Sequence, residues 1–294
     1  MRLYLKKSVI PILILLFFAL TYASTRAQSE ERSITWTAIP DAPAPFGKAV
    51  GGVIGDYFYV FGGQPHIRLA LAYSLANDSW IQSTPPNHGL MESAYCIADN
   101  AIYRFSGLLG DNSSEKFVPD GTGTGVWTTI AVPPPSINKS GISCCWDGGN
   151  LIYANNCDKS NNPAGYFARY NITDDSWEML NPSPYPRRYA GMASVNDLIY
   201  LFGGIGSNQR DPRICQVYNP ADGSWGLIAP HPDSLNYTYS NVISDGAIVW
   251  TVGHGGGFGN FHASQHVHYY DPAIDTWTAE TDLPVTRGFS LVGY

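Results

Sequence analysis

YNITDDSW, at residues 170–177, and YNPADGSW, at residues 218–225, are two copies of one short pattern. Two further copies are YSLANDSW at 73–80 and YDPAIDTW at 270–277. Between the leading Tyr and the final Trp lie residues such as Asn, Asp, Pro and Gly, which favour tight turns. We interpret each copy as two strands joined by a short hairpin. Residues 117–127 form a longer, Gly-rich version of the same hairpin.

The tryptophans of these hairpins, with one more near the N-terminus, recur at intervals of 44, 47, 50, 48 and 52 residues. They are Trp36, Trp80, Trp127, Trp177, Trp225 and Trp277. Intervals of this size predict an array of similar units, each of which buries its apolar face against its neighbours.

A second shared segment precedes each hairpin and is strand-like, with a central aromatic residue. The aromatic residues are Tyr59, Tyr103, Tyr153, Tyr200 and Trp250. In two copies a glycine pair follows, Gly62 with Gly63 and Gly203 with Gly204. Such a pair predicts positive φ angles or a close approach of backbone.

Small residues stand ten positions before each of these aromatics. They are Ala49, Ser93, Ser143, Ala190 and Ser240. A column of small side chains is what the innermost strand of a radial array needs, because neighbouring sheets crowd each other near the axis. Each unit therefore has four predicted strands, from the small residue outward to the tryptophan.

The spaced Tyr and Trp and the diglycine resemble the kelch repeat over residues 36–294. This resemblance implies an all-β fold, a kelch-type β-propeller of four-stranded antiparallel blades. Five units are complete, and an incomplete sixth blade combines the outer strand SITWTAIP at 33–40 with the inner strand TRGFSLVGY at 286–294. Because the repeat period extends beyond Tyr294, we expect a C-terminally truncated sequence and a full-length product of about 330 residues.

The N-terminal segment has the features of a secretory signal peptide. Arg2, Lys6 and Lys7 precede an apolar run at 9–20, and Ala23 and Ala27 offer cleavage points. A membrane anchor is the alternative, but twelve residues at about 1.5 Å each fall short of a bilayer core of about 30 Å. The expected domains are thus a signal peptide, 1–27, and a propeller, 28–294, in an exported protein that is secreted, periplasmic or at the cell surface.

Removal of this segment leaves 13 Lys and Arg against 24 Asp and Glu, a net charge of −11. Such a surface repels phosphate backbones, so we expect no nucleic-acid partner. No later stretch is apolar enough to span a membrane, so we expect no membrane span after signal removal. A complete propeller is expected to be monomeric.

Two sets of residues are open to covalent modification. The cysteines are odd in number, so at least one is free or intermolecular, and their spacing leaves the connectivity open. They are Cys96, Cys144, Cys145, Cys157 and Cys215. Possible glycosylation sequons, which make a glycoprotein one expectation, begin at Asn77, Asn112, Asn138, Asn171 and Asn236.

The candidate binding site is the mouth of the central channel. The residues eleven positions before the strand aromatics are expected to line it, with two arginines beside them: Lys48, Glu92, Ile142, Tyr189, Tyr239, Arg188 and Arg287. These side chains suit carbohydrate hydroxyls, a carboxylate or a peptide. The alternative is a solvated rim with ordinary hydrogen bonds between blades.

Histidines offer a weaker metal hypothesis, with His262, His266 and His268 as candidate ligands. His268 aligns with positions expected to pack between blades, so we expect no metal. The HGGG string at 254–257 has no accompanying GxSxG elbow and therefore predicts no esterase.

The predicted function is a non-catalytic module that binds a protein or carbohydrate, with no cofactor, since every recognisable pattern is architectural. The alternative is a sugar-acting enzyme, because the resemblance extends to sialic-acid mutarotases and copper galactose oxidases. A mutarotase needs only a placed acid and base, for which Glu92 with Arg188 or a histidine would suffice.

Overall fold

The structure is a computed structural model that describes residues 2–3, 34–108, 112–138, 140–158, 164–206, 211–233, 242–253 and 263–285. Within these ranges every regular element is a β-strand. No helix in the described chain has the length and apolar character to cross a membrane.

Twenty of the strands form five four-stranded antiparallel sheets, which we number as blades 1 to 5. Blade 1 contains β3 (Val50–Ile54), β4 (Tyr57–Phe61), β5 (Ala70–Ser74) and β6 (Ser79–Gln82). Blade 2 contains β7 (Ala94–Ala98), β8 (Ala101–Phe105), β9 (Ser114–Pro119) and β10 (Gly125–Thr129). Blade 3 contains β11 (Ser143–Trp146), β12 (Leu151–Cys157), β13 (Gly165–Asn171) and β14 (Ser176–Leu180).

Blade 4 contains β15 (Gly191–Val195), β16 (Leu198–Phe202), β17 (Cys215–Asn219) and β18 (Ser224–Ile228). Blade 5 contains β19 (Val242–Ser244), β20 (Val249–Val252), β21 (Val267–Asp271) and β22 (Thr276–Ala279). Each sheet follows chain order, and the first strands of successive blades contact one another. The five predicted blades of a propeller ring are therefore confirmed.

The small-residue column lies where the inner strands crowd together. Ala49, Ser93, Ser143 and Ala190 are all buried at the start of the inner strands, whereas Ser240 lies outside the described residues. A larger side chain at these positions would meet the neighbouring sheet, which explains why the column is small.

Aromatic rings fill the spaces between blades, and the same contact recurs in each. Phe61 of blade 1 meets Trp127 of blade 2 edge-on, with ring centroids 4.9 Å apart. Phe105 meets Trp177 in the same way at 5.0 Å, and Phe202 meets Trp277 at 5.5 Å. Edge-to-face pairs of this kind add to the free energy of burial. These contacts explain why one tryptophan is needed per unit.

Blade 3 makes this contact with a different strand. It has Asn155 where blades 1, 2 and 4 have Phe, and the cross-strand neighbour of Asn155 is Phe167. Phe167 then packs on Trp225 with centroids 4.9 Å apart. The large and small members of the pair have exchanged strands, so the volume between blades is conserved.

The N-terminal strand takes the place of an outer strand beside blade 5. The indole nitrogen of Trp36 in β2 (Trp36–Thr37) donates to the Thr281 carbonyl at 3.1 Å. Strand β1 (Arg2–Leu3) pairs antiparallel with β2. The predicted inner strand of the sixth blade, 286–294, lies outside the described residues, and the signal peptide stays a prediction.

Candidate binding site at the channel mouth

An unusual backbone conformation precedes three of the inner strands. Lys48, Glu92 and Tyr189 have φ angles of 59°, 53° and 55°, in the left-handed region that non-glycine residues rarely adopt. The amide of Glu92 donates to the Lys48 carbonyl at 3.3 Å, and the amide of Tyr189 donates to the Gly141 carbonyl at 2.7 Å. These bonds link blade 1 to blade 2 and blade 3 to blade 4, and they fix the directions of the three side chains.

The three side chains meet at one carboxylate. The ammonium group of Lys48 donates to Oε1 of Glu92. The hydroxyl of Tyr189 donates to Oε2 of the same carboxylate at 3.2 Å. Glu92 is 7% exposed and Tyr189 is 6% exposed, so this cluster is largely shielded from water. Residues of blades 1, 2 and 4, which the sequence separates widely, therefore form one polar cluster at the start of their inner strands.

Tyr189 serves as the donor in this cluster. Burial and then the negative charge of Glu92 raise the pKa of Tyr189 above its ordinary value. A higher pKa keeps the phenol protonated, so its O–H remains available to the carboxylate.

Arg188 is the cation at the mouth that has no acidic partner among the described residues. Its backbone pairs with that of Ile205, with N···O distances of 3.1 Å and 2.8 Å. Its guanidinium lies 5.3 Å from the centroid of the Tyr189 ring and is partly exposed. Backbone pairing and ring stacking thus place a charged group at the edge of the buried cluster.

The remaining members of the predicted ring lie elsewhere. Ile142 is 1% exposed and belongs to an apolar cluster between blades 2 and 3, so it does not present a binding group. Tyr239 and Arg287 lie outside the described residues.

One supporting residue was not singled out from the sequence. Arg187 is fully buried, and its guanidinium donates to the carbonyls of Gly204 at 3.3 Å and Asp211 at 2.7 Å. It therefore ties the loop before β15 to the loop between β16 and β17. Spacing along the sequence does not distinguish the buried Arg187 from the partly exposed Arg188. The only sequence signal for this loop is that two arginines stand side by side.

The histidine candidates form a second polar cluster, in blade 5. Nδ1 of His266 lies 2.8 Å from Oδ2 of Asp233, and Nδ1 of His268 lies 3.8 Å from the same oxygen. Asp233 raises the pKa of His266, whereas burial lowers the pKa of His268. His231, which no sequence pattern singles out, is 1% exposed, and its Nε2 lies 3.0 Å from the Thr251 hydroxyl.

His268 aligns between blades with Gln216, Ala168 and Leu71, and it is 8% exposed. In the described part of the chain no three His, Cys, Asp or Glu side chains are arranged to hold a metal ion. His262 lies outside the described residues.

Of the sequon asparagines, Asn77 and Asn112 are exposed, and Asn138 and Asn171 are partly exposed. Asn236 lies outside the described residues, and glycosylation stays a prediction.

Comparison with known proteins identifies the repeat. A family model described as the Kelch motif matches residues 186–232, which include Arg187, Arg188, Tyr189 and the whole of blade 4. The chain carries a Kelch motif. The solved structure titled "Structure of YjhT" has a TM-score of 0.68 at 15% identity, covering 86% of this chain and 89% of that one, which supports the fold alone.

The kelch chain is also similar in sequence to curated kelch-like proteins. Kelch-like protein terF of Aspergillus terreus is 23% identical over 290 residues, covering 88% of this chain and 62% of that protein. Kelch-like protein 35 of Mus musculus is 21% identical over 252 residues, covering 84% and 41%. The chain thus spans less than two thirds of the length of these relatives.

Proposed function

We propose that this kelch propeller is an exported, non-catalytic binding module that takes an acidic segment of a protein at its channel mouth. The observation that carries the proposal is Arg188, a partly exposed guanidinium at the mouth without an acidic partner among the described residues. Export is supported by the basic and apolar N-terminal segment. A protein ligand is consistent with the kelch family, whose propellers commonly act as interaction modules.

A carboxylate is the group that best complements this site. A guanidinium presents paired N–H donors that match the two oxygens of a carboxylate. Lys48 is already engaged with Glu92, so Arg188 supplies the attraction while Tyr189 holds the arginine in place. A guanidinium stacked on a ring loses less side-chain freedom on binding than an unsupported one.

Fluorescence anisotropy with a labelled hexaglutamate peptide tests this proposal. We expect Arg188→Gln to weaken binding at least about tenfold, because one charge-assisted contact is lost. The matched control is Arg169→Gln, which removes the same charge from a residue that is paired with Glu178 at 2.7 Å. That variant should bind as the unaltered protein does.

Two outcomes would overturn the proposal. Equal losses in the two variants would mean that net charge, and not the mouth, controls binding. Binding of oligogalacturonate without binding of hexaglutamate would replace the protein segment by an acidic glycan.

Glu92 favours a second candidate function, a sugar-acting enzyme. Its carboxylate is nearly buried between an ammonium group and a phenol, an arrangement that suits proton transfer to and from a sugar hydroxyl. Exchange NMR of sialic-acid anomers tests this reading. Acceleration by the unaltered protein that is lost in Glu92→Gln supports catalysis, whereas rates equal to those in buffer exclude this reaction.

A further inference from the structure

Two of the five cysteines face each other between neighbouring blades. Cys96 lies on β7 of blade 2, and Cys144 lies on β11 of blade 3. Both are buried in the same apolar cluster, together with Ala94, Tyr103 and Ile142. The Cys144 thiol is near enough to that of Cys96 to raise its pKa, and the two inner strands are in direct contact. This pairing of thiols does not follow from their spacing in the sequence.

The other three cysteines have different surroundings. Cys145 follows Cys144 on the same strand, so its side chain points to the opposite face and joins the cluster between blades 3 and 4. Cys157 approaches the Ile205 carbonyl at 4.0 Å, and Cys215 approaches the Arg213 carbonyl at 3.3 Å. Each of these three thiols is buried.

We propose that Cys96 and Cys144 form a disulfide that ties blade 2 to blade 3, leaving the other three cysteines as buried thiols. This inference rests on the proposed export, because such bonds persist in oxidising compartments. It also accounts for the odd number of cysteines without a bond to another molecule.

The chemistry is thiol–disulfide exchange with glutathione disulfide as the oxidant. One thiolate attacks glutathione disulfide, forms a mixed disulfide and releases one glutathione thiolate. The second cysteine thiolate then attacks the protein sulfur of that mixed disulfide and releases the second glutathione. Two S–H bonds are lost, one S–S bond forms within the protein, and the two protons and two electrons reside on two molecules of glutathione.

This reaction belongs to folding and not to the finished propeller. Burial and the neighbouring thiol raise the pKa of Cys96 well above its ordinary value, so the thiolate is scarce once the blades have packed. Before packing, both thiols are open to the oxidant.

Peptide mapping by mass spectrometry tests the inference. The mature chain is refolded in reduced and oxidised glutathione, alkylated under denaturing conditions without reductant, and digested. We expect one linked pair of peptides, containing Cys96 and Cys144, and three alkylated cysteines. Five alkylated cysteines, or a different linked pair, would overturn the proposal.

Two serine variants separate the adjacent cysteines. Cys145→Ser should keep the cross-link, and Cys144→Ser should lose it. If Cys144→Ser fails to fold, the fragment ions of the linked peptide from Cys145→Ser locate the bond instead. A cross-link lost in Cys145→Ser would contradict the assignment.

Thermal unfolding supplies a second measurement. Reduction should lower the melting temperature by roughly 5–10 °C, because the bond restricts the unfolded chain. Cys215→Ser is the control and should show the same difference between oxidised and reduced samples. Neither measurement uses a ligand, so failure of this inference is distinguishable from failure of the proposed binding function.

Discussion

At the residue scale, the second glycine of each diglycine is required for two separate reasons. Gly204 has a φ of +80°, which favours glycine, and a Cβ there would lie 2.7 Å from the Arg188 carbonyl oxygen. Gly63 is similar, with a Cβ position 2.5 Å from the Gly47 carbonyl oxygen. The glycine thus allows the loop that carries the mouth residues to lie against the loop after the second strand.

Substitution of Gly204 tests this close approach. Gly204→Ala should lower the free energy of unfolding by about 3 kcal/mol, from backbone strain and from a clash with backbone. The control is Gly121→Ala, with a φ of +84° and no atom within 4 Å of the Cβ position. This variant should lose only about 1 kcal/mol of unfolding free energy, because it has the backbone strain without the clash. Equal losses in urea unfolding would show that the close approach has no cost.

His266, which is exposed, and His268, which is buried, should titrate on opposite sides of pH 6.5. The raised pKa of His266 contributes stability below the unfolded pKa, and this is lost as pH rises through the folded value. The lowered pKa of His268 opposes folding as pH falls below the unfolded value, because protonation must occur in a buried site. NMR titration of the ring protons measures both.

Asp233→Asn supplies the matching variant for that titration. Loss of the carboxylate should lower the pKa of His266, since Asp233 is the first cause of its rise. An unchanged pKa of His266 would contradict the role of the pair.

At the element scale, the Tyr–Asp–Trp hairpin of blade 3 joins it to the blade before it. In blade 3, Oδ1 of Asp175 accepts from the Tyr170 hydroxyl at 2.6 Å and from the Ala131 amide at 2.7 Å. The Trp177 indole donates to the Ala131 carbonyl at 3.0 Å. The spacing of this pattern therefore reflects one set of hydrogen bonds between blades.

Blade 5 repeats these bonds, and blade 4 departs from them. Asp275 accepts from the Tyr270 hydroxyl at 2.7 Å and from the Ala229 amide at 2.8 Å. Gly223 occupies the corresponding place in blade 4, with a φ of +72°. The hydroxyl of Tyr218 lies 3.8 Å from the Cβ position of that glycine.

Reciprocal substitutions test this hairpin. Asp175→Gly should lower the free energy of unfolding by about 2 kcal/mol, because the buried hydroxyl and the amide lose their acceptor. Gly223→Asp should raise it by about 1 kcal/mol, since the gained bonds exceed the strain of a left-handed aspartate. Urea unfolding measures both changes. Destabilisation by Gly223→Asp would contradict the view that the Asp of this hairpin makes the same hydrogen bonds in any blade.

At the scale of the whole molecule, closure brings together residues that are 245 positions apart, Trp36 and Thr281. The same indole-to-carbonyl bond joins Trp225 to Asn181 at 3.1 Å within the ring. Ile34 and Trp36 also pack with Trp250 and Leu283 beside blade 5. The N-terminal strand therefore takes the position that a tryptophan strand takes in every other blade.

Trp36→Phe tests whether closure contributes to stability. It retains the apolar ring and removes the indole N–H, so we expect a loss of about 1 kcal/mol in the free energy of unfolding. Trp225→Phe, which removes the equivalent bond inside the ring, should lose a similar amount. A loss in Trp225→Phe alone would mean that the N-terminal strand is not part of the cooperative fold.

The repeat could be predicted because blades pack by the same contacts in every unit. Phe61 with Trp127 and Phe105 with Trp177 must recur at one period if the ring is to be filled. The candidate site could be predicted only as a set of positions. Arg187 and His231 were missed, because a buried polar residue is recognised by its partners and not by its spacing.

The sequence by itself determined the blade, its four strands and its order in the ring, because periodic burial leaves a periodic pattern. Only the tertiary structure decided which side chains meet. Lys48 of blade 1 contacts Glu92 of blade 2, and Tyr189 of blade 4 contacts the same carboxylate. Cys96 of blade 2 lies beside Cys144 of blade 3. These meetings depend on the curvature of the ring and on left-handed turns before the inner strands, neither of which spacing along the chain records.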